Sequence, residues 1–137
     1  MEELVTKIEN NTSFVGIIGL GYVGLPLAIA FSKMFDMVRY DVYYKCIANL
    51  LSRKSHILDV LDSTLHTYLG KSFFPTKNPE KVVDDFGLAY SPERIDPGNR
   101  QFNVENAPKI VGRINEGSTE IAALLYNSVI DEIVRGY

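Results

Sequence analysis

Residues 14–27 read FVGIIGLGYVGLPL, and the reading of this stretch decides the fold. Its first five residues are apolar and β-prone, as expected of a parallel strand buried on both faces. Glycines follow at positions 19, 21 and 24, and Pro26, a residue suited to the first turn of a helix, opens the apolar run LPLAIAFSKMF. Gly19-Leu20-Gly21-Tyr22-Val23-Gly24 fits the pattern G-x-G-x-x-G. The first glycine permits a tight turn, the second lets the backbone approach a pyrophosphate, and the third lets the helix pack closely on the strand. The helix N-terminus then faces the phosphates. Gly19, Gly21, Tyr22, Val23 and Gly24 are therefore the candidate cofactor-binding residues.

Moving outward, residues 37–42 (MVRYDV) read as a second strand that carries Asp41, 22 residues after Gly19. A carboxylate at that place can accept hydrogen bonds from both ribose hydroxyls and would repel a 2′-phosphate, which favours NAD over NADP. Arg39 precedes the acid and reads as a solvated strand residue. Residues 43–53 (YYKCIANLLSR) put Tyr43, Ile47, Leu50 and Leu51 on one helical face. The alternation of strand and helix predicts right-handed βαβ units, hence an α/β fold with an incomplete Rossmann-like parallel sheet and flanking helices.

Beyond residue 54 the pattern is weaker. Leu58, Leu61, Leu65 and Leu69 have helical spacing, and Pro75 and Pro79 bracket an expected loop. Residues 87–90 and 109–112 read as short strands, with the turn-rich SPERIDPGN between them. Residues 116–129 form an expected helix, with Asn115 as candidate N-cap and Ile121, Leu124, Leu125 and Val129 along one side. A last strand is expected in EIVRGY.

Composition narrows the function classes. The chain has 137 residues, 46% hydrophobic and 23% charged, with a net charge of −3. Without a basic excess there is no electrostatic case for a nucleic-acid or anionic-membrane partner. No apolar run reaches membrane-spanning length, and the charged start MEELVTKIENNTS does not resemble a secretion signal, so a cytoplasmic protein is expected. The single cysteine, Cys46, reads as a packing residue. His56 and His66 read as solvated or capping, and no Cys/His cluster suggests a metal.

GLGYVGLPLA (19–28), FDMVRYD (35–41), YSPERIDPGN (90–99) and PKIVG (108–112) together resemble the UDP-glucose/GDP-mannose dehydrogenase family. The form SPERIDPGN is most similar to the branch acting on UDP-N-acetylhexosamines. The resemblance implies an enzyme that oxidises the C6 alcohol of a nucleotide sugar to a carboxylate with two NAD+. A cysteine adds to the intermediate aldehyde, and water cleaves the resulting thioester. Carried over by position, Gly19, Gly21, Gly24 and Asp41 would hold NAD. Glu93 would handle water or the sugar end, with Arg94 and Asn99 as substrate contacts.

This sequence also departs from the family. Residues 84 and 85 adjoin where the family has a V-P-T-P turn and further βα units, including the fourth strand of the sheet. The dimer helix and the catalytic lysine, asparagine and cysteine would lie past residue 137. Two readings follow. One is the NAD-binding portion of a nucleotide-sugar dehydrogenase, a single shortened domain with halves 1–84 and 85–137, inactive alone. The other is a non-catalytic module that binds NAD, ADP-ribose or a partner, with its oligomeric state open. Loss of the fourth strand would leave strand 14–18 at an edge, a slot that residues 87–90 or 109–112 could fill.

Overall fold

The computed structural model describes residues 2–76, 91, 98, 101–112 and 116–135. Its chain divides into two compact units, Phe14–Asp84 and the pair of segments Met1–Ser13 and Asp85–Tyr137.

The first unit contains β1 (Phe14–Ile18), α2 (Gly24–Ser32), β2 (Asp36–Tyr40), α3 (Tyr44–Leu51), α4 (Asp62–Tyr68) and β3 (Phe73–Thr76), while α1 (Glu2–Glu9) precedes it in the chain. The three strands form a wholly parallel sheet in the order β1-β2-β3, with Val15 opposite Met37 and Met37 opposite Phe73. This is the strand order of one mononucleotide-binding half of a doubly wound fold.

Helix α2 packs on all three strands and on α4. Leu25, Leu27, Ala28, Ile29, Ala30 and Phe31 are all buried, so the helix is apolar around its whole circumference. Its last turn closes through Ser32 Oγ, which donates to the Ala28 carbonyl at 2.7 Å. Beneath it, Met37, Leu50, Leu65 and Phe73 complete a core with almost no solvent exposure.

Several expectations are corrected here. β1 is buried on one face only: Val15 is 8% exposed, whereas Phe14 and Ile18 are each 74% exposed. An apolar run does not distinguish a strand covered twice from one covered once. Pro75 does not open the expected loop but lies inside β3 opposite Arg39, and Pro79 lies outside the described residues. Proline is tolerated in a strand at the edge of a sheet, and β3 is an edge among the described strands. In α3, Ile47 and Leu50 are buried but Tyr43 and Leu51 face solvent. Helix α4 starts at Asp62, so Leu58, almost wholly exposed, and Leu61 lie outside it while Leu65 packs inward.

The second unit holds α1, β4 (Lys109–Val111), α5 (Glu116–Asn127) and β5 (Ile133–Arg135). β4 and β5 pair in parallel, α5 packs on both, and α1 packs against α5. Ala123 and Val111 are fully buried in this unit. The late helix and last strand therefore occur as expected; α1 does not follow from any reading of the sequence given above. The strand expected at 109–112 is present as Lys109–Val111, and its partner is β5 in a two-stranded sheet. Residues 87–90 and Asn115 lie outside the described residues. Among the described residues, no helix is long and apolar enough to cross a membrane.

Candidate dinucleotide-binding site

The glycine loop leaves β1 at Gly19, whose N–H donates to the Tyr40 carbonyl at 2.8 Å and extends the β1–β2 ladder by one bond. Gly19 has φ of +89°, a left-handed conformation that a side chain disfavours. The third glycine is demanded by space: a Cβ on Gly24 would stand 1.8 Å from the Gly19 carbonyl oxygen. The first and last glycines of the motif thus close the loop against itself.

Gly21 differs from both. A Cβ there meets nothing within 4 Å, and its φ lies outside the left-handed region. Among the described residues no packing or backbone demand requires glycine at 21, which is the condition expected of a position kept bare for a ligand to approach. Gly21 and Tyr22 are exposed and Val23 is half-buried. Val23 precedes α2 without a side-chain cap, and the helix has no acidic residue in its first turn. Neither the N-cap side chain nor the first turn of the helix thus supplies a negative charge to its positive end.

Asp41 follows β2 directly and is 7% exposed. Its Oδ2 accepts the Leu20 N–H at 2.7 Å, and its Oδ1 accepts the Tyr43 N–H at 2.8 Å. The carboxylate fastens the glycine loop to the end of β2 and the turn into α3. Each oxygen keeps a further lone pair that can accept a hydroxyl.

Arg39 corrects an expectation. It is not solvated but completely buried. Its Nη1 donates to the Met37 carbonyl at 3.0 Å, and its Nη2 donates to the Ala28 carbonyl at 3.1 Å and to Ser32 Oγ. The guanidinium lies 3.6 Å from the centre of the Phe73 ring, while Nε has no partner among the described residues. Burial pushes its pKa well below the usual arginine value. Held in the core, Arg39 cannot meet a 2′-phosphate.

His56 has a place that the sequence reading missed. Its Nε2 lies 2.6 Å from the Leu20 carbonyl oxygen, across 36 positions of chain. Nothing in local spacing signals that contact; a histidine beside Ile57 in a polar stretch looks solvated. His66, in contrast, sets Nε2 3.2 Å from the exposed Arg53 carbonyl, a capping contact past the end of α3. Cys46 is half-buried, and burial together with the nearby Asp41 charge pushes its thiol pKa up. Glu93, Arg94 and Asn99 lie outside the described residues; of their loop, Ser91 is described, and its Oγ donates to the Ile110 carbonyl at 2.8 Å. Among the described residues no cluster of His, Cys, Asp and Glu could hold a metal ion.

No family profile matches the chain. The UDP-N-acetyl-D-glucosamine 6-dehydrogenase of Salmonella typhi is 25% identical over 187 residues, covering 88% of this chain and 43% of that protein. The UDP-N-acetyl-D-mannosamine dehydrogenase of Methanococcus aeolicus is 29% identical over 113 residues, 66% of this chain and 26% of that one. In fold, the chain matches the solved UDP-D-ManNAc dehydrogenase of Pyrococcus horikoshii with a TM-score of 0.81 at 21% identity, over 90% of this chain and 46% of the other. The chain therefore spans less than half the length of these relatives. The 187-residue match is longer than the whole 137-residue chain, so the Salmonella protein carries sequence within the matched span that this chain lacks. In sequence the chain is thus similar to UDP-N-acetylhexosamine dehydrogenases, and in fold it matches the corresponding part of a solved one.

Proposed function

We propose that this chain is the NAD-binding portion of a nucleotide-sugar 6-dehydrogenase, that it retains the half of the site serving the adenosine and pyrophosphate, and that it does not oxidise sugar nucleotide by itself. The observation that carries the reading is Gly21, bare without any demand from the fold and set before the uncapped start of α2. The pyrophosphate would lie along the backbone of Gly21, Tyr22 and Val23. Asp41 would take the ribose hydroxyls on its spare lone pairs. With Asp41 at the ribose and Arg39 withdrawn into the core, the site favours NAD over NADP. When bound, NAD supplies the hydride acceptor for oxidation of an alcohol.

The sugar end rests on the resemblance alone. Glu93 is assigned there to handling water, and Arg94 and Asn99 to substrate contacts. Cys46 does not fit the nucleophile's role: burial and the neighbouring Asp41 both disfavour its thiolate, the form that would attack an aldehyde. A non-catalytic module that binds NAD or ADP-ribose would use the same glycine loop and Asp41.

The test compares the parent chain with Gly21→Ala, following ADP-ribose affinity, thermal midpoint and UDP-sugar-dependent NADH formation. The added methyl meets no protein atom, so the midpoint should stay within a few degrees while affinity falls at least tenfold, about 1.4 kcal/mol. Neither protein should form NADH. Unchanged affinity in Gly21→Ala would overturn the assignment of the loop, and NADH formation by the parent chain would overturn the claim of inactivity.

A further inference from the structure

We propose that His56 is a positioning residue of the dinucleotide site, holding the glycine loop by the Leu20 carbonyl as Asp41 holds it by the Leu20 N–H. This rests on the reading of the loop as a pyrophosphate cradle.

Leu20 is fully buried, and both its backbone groups are taken by distant side chains. Its N–H goes to Asp41 Oδ2 at 2.7 Å, and its carbonyl is 2.6 Å from His56 Nε2. A carbonyl only accepts, so Nε2 carries the proton and the tautomer is fixed. Nδ1 is buried without a partner among the described residues, so the ring's one hydrogen bond is the bond to the loop. The Leu20 carbonyl and the Gly21 N–H belong to the same planar peptide and point in opposite directions. Fixing the carbonyl on His56 therefore fixes the direction of the Gly21 N–H, at the position left bare for a ligand.

The histidine is itself held. The Ser55 N–H donates to Asp62 Oδ1 at 2.6 Å, and the Ser55 hydroxyl donates to the Ile57 carbonyl at 2.9 Å while accepting the Ile57 N–H at 3.1 Å. These bonds lock the residues on either side of His56, and Val60 buries the turn against the unit. A side chain outside the motif thus pre-orients the loop before a ligand arrives, and pre-orientation raises affinity without a contact of its own.

The experiment measures ADP-ribose affinity for the parent chain, His56→Leu and His56→Gln, each well below its thermal midpoint. Long-range nitrogen–proton NMR of the parent histidine accompanies it. Leucine fills the space without a donor, whereas the glutamine amide can donate to the same carbonyl. The expected results are a protonated Nε2, a roughly fivefold to tenfold loss of affinity in His56→Leu, and recovery to near the parent in His56→Gln. A proton on Nδ1 alone, undiminished affinity in His56→Leu, or equal losses in both variants would overturn the role of His56 and leave the dinucleotide reading intact. If the parent chain fails to bind ADP-ribose, the dinucleotide reading fails and the proposal falls with it.

Discussion

At residue 24 a single methyl group decides whether strand and helix can meet. The Gly19 carbonyl oxygen occupies the place where a Cβ would stand, and it is backbone, fixed by the turn that Gly19 itself makes at φ +89°. Gly24→Ala should destabilise the chain by about 3 kcal/mol or more, read as a shift in the urea midpoint, because neither partner can rotate away. A loss below about 1 kcal/mol would show that the loop stands further from the helix than described. The same motif contains Gly21, whose replacement should spare stability. The two alanine variants thus separate what the fold needs from what a ligand needs. Asp41 allows no such separation: both its oxygens hold backbone N–H groups, so Asp41→Ala would disturb loop and binding together. The strand-to-helix turn at the glycines and the place of Asp41 just after β2 were legible in the sequence because their spacing follows from local geometry. Arg39 and His56 were not. Their roles depend on partners far along the chain, Ala28 and Ser32 for one and Leu20 for the other.

Helix α2 has two electrically different ends. Its own last turn holds no basic residue, yet the Arg39 guanidinium reaches the Ala28 carbonyl and Ser32 from β2, placing a positive charge where the helix dipole is negative. Its first turn holds no acid. One end is matched from within the protein, and the other is left open toward the glycine loop. Arg39→Met keeps the bulk but removes every donor, so it should cost about 2–4 kcal/mol in urea unfolding, with Arg39→Lys recovering part of that. A neutral result for methionine would mean that packing, not hydrogen bonding, gives the residue its place. At this scale the βαβα order and the parallel pairing were legible from hydrophobic period and punctuation. Two features were not: the strand containing Pro75, because proline signals a loop unless the strand is known to be an edge, and the one-sided burial of β1, because an apolar run is silent about its cover.

Taken whole, the chain has the strand order β1-β2-β3 of one half of a doubly wound sheet, within a match covering less than half of its Salmonella relative. In a doubly wound sheet the cofactor lies across the crevice between strand 1 and the fourth strand, so the two halves of the cofactor rest on different halves of the fold. If only the adenosine half-site is built, the nicotinamide should add nothing to binding. The direct measurement is calorimetric titration of the monodisperse 137-residue chain with NAD+ and, separately, with ADP-ribose. The account predicts saturable one-to-one binding of both, with dissociation constants within about threefold of each other, under 1 kcal/mol apart. Binding of neither, or binding of NAD+ more than tenfold tighter than ADP-ribose, would contradict it.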